Sequence, residues 1–175
     1  MNDSLDRQAI AGIRAALADA VGRLDAADAR DEALATFIPR HRRMLITHEA
    51  VLRPVGRVWR LGVLLLGRDG ALYATGSITR ATEPGRPAYQ SLSAEDRRAY
   101  RAAAIRGHFA AGETVNYDAV PIELDAPSLR ASAGPLLLRG GHALVKWSPT
   151  AAGTVDFATY LADRVGLLTD PPQGA

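Results

Sequence analysis

Between Val58 and Leu66 an extended chain would carry Trp59, Leu61, Val63 and Leu65 on one side and Leu64 and Leu66 on the other. Side chains alternate across a strand, so this segment is apolar on both faces and needs cover above and below. The flanking residues frame a meander. Arg53-Pro54-Val55-Gly56 reads as a β-turn before the segment, and Gly67-Arg68-Asp69-Gly70 as an Asp-Gly hairpin after it. Met44 to Leu52 and Ala71 to Thr79 are then the two partner strands.

Amphipathic helices supply the cover. Ile10, Ile13, Leu17, Val21 and Leu24 recur at spacings of three and four. Four acids between Asp25 and Glu32 interrupt that stripe, and Leu34, Phe37 and Ile38 read as a second short helix ended by Pro39. Ser93, with Asp96 three residues on, predicts the cap of a middle helix that Gly112 stops. A closing helix runs from Thr154 through Phe157, Leu161, Val165 and Leu168. Further strands are predicted over 115–124, 135–138 and 143–147. The class is therefore α+β: a mainly antiparallel sheet, with a three-stranded meander and further hairpins, packed with N-terminal, middle and C-terminal helices. Residues 1–38 are expected as a helical arm packing on or swapping with the domain, 39–170 as a single α+β domain, and 171–175 as a frayed tail.

Composition narrows the function classes. With no cysteine there is no disulfide framework and no thiolate nucleophile or ligand. No apolar run approaches the ~20 residues of a bilayer span, so no membrane partner is expected. The start, Met1-Asn2-Asp3-Ser4, lacks the basic and apolar regions of a signal peptide, which suggests a cytoplasmic chain. The bases are all Arg except Lys146, and the sequence is rich in Ala, Gly and Pro. Bias toward GC-rich codons accounts for much of that Arg content. Its distribution says more. Residues 1–36 have net charge −3, residues 37–106 +8 and residues 107–175 −3. A basic middle between acidic ends fits complementary parts within a fold or across a homodimer. Without a recognition motif it implies no specific nucleic acid.

Familiar catalytic signatures are absent. There is no Gly-x-Gly-x-x-Gly, P-loop, Gly-x-Ser-x-Gly or Ser-x-x-Lys, and residues 94–106 are Arg-rich where a Nudix domain has its Glu-rich metal helix. The four histidines, His41, His48, His108 and His142, show no metal-ligand spacing, so neither metal nor cofactor is implied. Arg97, Arg101, Ala104 and His108 fall on one helical face, where the two arginines could grip a phosphate or carboxylate. Asn116, Tyr117 and Asp118, with Tyr89 from the Pro-rich loop 81–92, could line a small-molecule pocket.

The stretches Arg53–Gly62, Gly112–Ala119 and Leu161–Val165 resemble a family of uncharacterised proteins from high-GC actinobacteria. That resemblance implies a similar length and a cytoplasmic setting, and it carries no catalytic residue. The expected function is a non-enzymatic ligand-binding or protein-interaction domain, a homodimer through the N-terminal helix. The competing expectation is a small enzyme acting on an anionic molecule. It would use Arg97 and Arg101 for the anion and His108 or Asp118 as general base.

Overall fold

A computed structural model of the chain describes residues 2–84, 92–148 and 153–171. It is α+β, with a mixed, mostly antiparallel main sheet and helices near the start, middle and end of the chain. No helix among the described residues is long and apolar enough to cross a membrane. The chain forms two compact units, residues 1–31, 59–74 and 120–175 in the first and 32–58 and 75–119 in the second. This division cuts across the expected boundary at residue 38, so the N-terminal helix belongs with the C-terminal part of the chain.

Helix α1 spans Asn2–Ala26. It ends where the acidic interruption begins, and the ending has a local cause. Asp28 adopts φ 48°, its N–H bonds to the Asp25 carbonyl, and the Ala29 N–H reaches back to the Leu24 carbonyl at 2.9 Å. That is the Schellman pattern, with buried Leu24 and Ala29 as its hydrophobic contact. The stripe Ile10, Ile13, Leu17 and Leu24 is buried within the first unit, with Val21 packed alongside. Its cover includes α4 (Phe157–Thr169), which adds Phe157, Tyr160, Leu161 and Val165 to the same core. The chain's own unit thus buries the residues through which a dimer was expected.

The doubly apolar segment is two strands rather than one. β4 (Val51–Leu61) and β5 (Leu64–Gly67) meet at Gly62-Val63, and Trp59, Leu61, Leu64, Leu65 and Leu66 are fully buried. Gly62 has φ 67°, and a Cβ there would collide with the Tyr160 hydroxyl. That hydroxyl accepts from the Val63 N–H at 3.0 Å and donates to the Leu61 carbonyl at 3.1 Å, clamping both sides of the turn. β6 (Leu72–Ala74) pairs antiparallel with β5 across the expected Asp-Gly turn, where Gly70 has φ 82°, and β9 (Val120–Pro121) pairs with β6. A separate antiparallel sheet joins β10 (Leu136–Arg139), β11 (His142–Val145) and β12 (Val155–Asp156). α3 (Ala126–Arg130) starts at an Asp125 cap and sends Arg130 to Asp3 and to buried Asp6 of α1.

In the second unit, residues 32–38 are strand β1 (Glu32–Ile38) and not the expected short helix. The spacing of Leu34, Phe37 and Ile38 suits a helix, but long-range pairing decides the outcome. β1 runs antiparallel to β4 and parallel to β8 (Thr114–Tyr117), and Ala33, Leu34 and Ala35 are all buried. The expected turn Arg53–Gly56 lies inside β4. The register places Pro54 opposite Ala35 and Gly56 opposite Leu34, leaving Val55 as the extra residue of a bulge. β7 (Ser77–Arg80) pairs antiparallel with β8, and α2 (Leu92–Arg106) adds Ala103 and Ala104 to a core of Ala33, Ala35, Leu52, Ala81, Val115 and Tyr117. Between β1 and β4 the chain makes a small hairpin, β2 (His41–Arg43) and β3 (Ile46–His48).

The Tyr160 clamp generates a test. Tyr160→Phe leaves the Val63 N–H and Leu61 carbonyl without that partner, so urea denaturation is expected to show a loss of about 1–3 kcal/mol. An unchanged midpoint would remove the clamp from the account.

Candidate functional site

The sequence candidates on α2 do not extend as one face. Arg97 and Arg101 are exposed, and the Arg97 Nε–H is spent on the Ser93 carbonyl at 3.1 Å. Ala104, on the same side, is buried. The helix stops at Arg106 because Gly107 lies against the Leu52 carbonyl, where a Cβ has no room. His108 follows with φ 60°, its N–H bonded to the Ile105 carbonyl, so it is the left-handed cap of the helix and not its next face residue. Ser93 likewise lies inside the first turn of α2, which begins at Leu92.

Asn116 and Tyr117 are buried, for structural reasons that differ. The Asn116 amide donates to Glu32 Oε2 at 2.8 Å and to the Ala33 carbonyl at 3.1 Å, which fastens β8 to β1. Tyr117 packs in an aromatic cluster, 4.8 Å from the Tyr100 ring and 6.4 Å from Phe37, with Tyr100 5.1 Å from Phe37. Burial pushes its phenol above the ordinary range, a hydrogen bond with Ser77 pulls the other way, and Tyr100 and Asp118 add to the rise. Asp118 is exposed at φ 54°. Tyr89 lies outside the described residues. Among the described residues, no hydrogen bond or ion pair joins any two of Arg97, Arg101, His108 and Asp118, and no cluster of three His, Asp or Glu side chains is placed to hold a metal.

The first unit has an open cleft of about 500 Å³ lined by Arg14, Leu17, Val21, Arg68, Asp69 and Leu124, among others. Its cations are already engaged. Arg14 donates to the Leu124 carbonyl at 2.9 Å, and Arg68 binds Asp25 and Asp31 while lying over the Trp59 ring.

The β2–β3 hairpin is different. Every residue from Pro39 to Glu49 is exposed, and Met44, Leu45 and Ile46 at its tip are 90%, 87% and 64% exposed. His41 stacks on its cross-strand partner His48 with ring centroids 5.1 Å apart. Arg40 pairs with Glu49 at 3.2 Å, whereas Arg42 and Arg43 have no hydrogen-bond or ion-pair partner among the described residues. The other acids of this unit that make ion pairs or side-chain bonds are committed elsewhere, Glu113 to Arg57 and Glu32 to Asn116. At the base of the hairpin, the Arg106 guanidinium donates to the Ala50 carbonyl at 2.6 Å, linking it to the end of α2. By sequence the second unit holds eleven bases and seven acids, net +4, and the first ten bases and twelve acids, net −2. The hairpin escapes a sequence reading because its turn contains no Gly, Asn, Asp or Pro. The available signal was the abrupt change from Arg40-His41-Arg42-Arg43 to Met44-Leu45-Ile46.

No family model, curated protein or solved structure matches this chain.

The buried phenol predicts an alkaline stability change. A raised folded-state value means the fold prefers the neutral phenol. The stabilisation is complete below the ordinary phenol range and is lost as pH rises through the raised value. Denaturant midpoints followed upward from about pH 9 should therefore fall further for the wild type than for Tyr117→Phe. Parallel curves would contradict the assignment.

Proposed function

We propose that the chain is a non-enzymatic, cytoplasmic interaction domain whose working surface is the basic hairpin of the second unit and whose partner is anionic. One observation supports this above the others. Three large aliphatic side chains stand exposed together at the tip, directly behind two arginines without partners among the described residues. Single exposed aliphatics are ordinary, but contiguous ones mark contact surfaces. Arg97 and Arg101, exposed on α2 of the same unit, extend the cationic character that an anionic partner would meet.

This reading includes a twofold homodimer, the commonest symmetric assembly. Its support moves from α1 to β7, the outer strand of its ladder among the described residues, which carries Ile78 53% exposed. An open edge can continue into a second copy.

Retention on heparin, a generic polyanion, tests the hairpin. Arg42→Gln/Arg43→Gln should elute at clearly lower salt than the wild type, and equal elution would overturn the reading. Sedimentation equilibrium tests the assembly. The wild type should have the mass of two chains at micromolar concentration and Ile78→Lys that of one. A single-chain wild type would remove the dimer and leave the hairpin reading standing.

A further inference from the structure

We propose that the β2–β3 hairpin is a ribbon arm that docks in a groove of duplex nucleic acid, without sequence preference, and presses its Met44-Leu45 tip against a base step. The inference rests on the reading above and specifies the anionic partner.

The arm has the shape such a partner needs. Two antiparallel strands paired His41 to His48, Arg42 to Thr47 and Arg43 to Ile46 form a ribbon, and a two-stranded ribbon fits a nucleic-acid groove. At about 3.3 Å per residue, the stretch from Pro39 to the tip reaches ~17 Å. Cross-strand pairing places Arg43 on the face that bears the stacked histidines, and Arg42 on the face of the Arg40–Glu49 pair. Unpaired cations thus stand on both faces, as a groove with phosphates along both walls requires.

The tip adds a second, independent observation. In the turn Arg43–Ile46, Met44 has φ 51°, a conformation that hairpins normally give to Gly, Asn or Asp. Methionine is therefore strained at the one position where a small residue would be more stable, and its side chain is 90% exposed. Proteins that bend duplexes insert Met, Leu or Ile between base steps, and an exposed Met-Leu apex behind arginines suits that use. Residues 39–53 contain no Asn or Gln to read adenine, which favours contact without sequence choice. They also contain no Trp, Tyr or Lys, the usual anchors at a bilayer interface. Further exposed arginines lie in the same unit, among them Arg53 on β4, Arg80 on β7 and Arg97 and Arg101 on α2, and they add to the positive charge that a polyanion would meet.

The test uses the full chain and a mixed-sequence duplex of about 30 base pairs carrying a dye at each end. Neutralising about four phosphates predicts a ~10²-fold loss of affinity between about 50 and 200 mM salt. Arg42→Gln/Arg43→Gln should reduce the slope of log K against log salt by about two. Met44→Gly relieves the backbone strain, so the variant should resist denaturant at least as well as the wild type. It should still bind, but no longer shorten the end-to-end distance read by energy transfer. A salt slope unchanged by the arginine substitutions, or bending unchanged by Met44→Gly, would overturn the proposal. So would binding to vesicles containing about one-third phosphatidylglycerol with none to the duplex. Heparin retention that depends on Arg42 and Arg43, without duplex binding, would sink this inference and leave the anionic-partner reading intact.

Discussion

Trp59 is the side chain on which the first unit depends. It is fully buried, its indole N–H donates to the Ala29 carbonyl at 3.0 Å, and the Arg68 guanidinium lies 4.9 Å from its ring centroid. Arg68 is held in turn by Asp25 and Asp31. The end of α1, the end of β4 and the turn after β5 therefore meet around one residue. Relative magnitudes show what holds them. Truncating a buried Trp costs about 3–5 kcal/mol, one hydrogen bond contributes about 1 kcal/mol, and exposed ion pairs about 0–1 kcal/mol. Burial supplies the stability, while the hydrogen bond and the cation fix how the ring is oriented.

The helices were legible because a 3.6-residue period is a local property. Ile10, Ile13, Leu17 and Leu24 needed no knowledge of their partners to be read as one buried stripe, and they are buried. The strands depended on distant pairing. Pro54-Val55-Gly56 carries turn residues, yet it spans a bulge because β1 pairs on both sides of it. Leu34, Phe37 and Ile38 mimic a helix until β4 pairs along their whole segment and β8 pairs at Ala33 and Leu34. The short helix α3 had a readable signal in Asp125 followed by Pro127, since the cap bonds the Ser128 N–H at 2.8 Å. Five residues carry too little periodicity to announce it. Among the site residues, the exposure of Arg97 and Arg101 follows from their helix. The departure of His108 does not, because Gly107 ends α2 against a carbonyl 55 positions away in the chain, that of Leu52.

Charge shows the same division between local and distant information. The sequence sets how many arginines the chain has, and folding sets which are neutralised. Arg57 meets Glu113, Arg68 meets Asp25 and Asp31, and Arg130 meets Asp3 and Asp6. Each pairing joins residues more than thirty positions apart, and those of Arg57 and Arg68 account for part of the complementarity between the basic middle and the acidic ends, while Arg130 ties the two acidic ends together. Arg42 and Arg43, exposed on a short hairpin, have no hydrogen-bond or ion-pair partner among the described residues.

The tip of that hairpin runs against the logic of the rest of the fold. Elsewhere positive φ falls on residues suited to it: Gly62, Gly70, Gly140 and Gly141 at strand turns, and Asp28 and His108 at helix ends. Met44 breaks the pattern with a long apolar side chain, in a turn that glycine would stabilise and solvent would tolerate. A left-handed conformation costs a side chain of this kind about 1–2 kcal/mol, and exposing it to water recovers none of that. Local choices that disagree with the fold tend to collect where a protein meets something else. The agreement of the other positive-φ positions among the described residues with the residues that hold them is what gives the exception its weight.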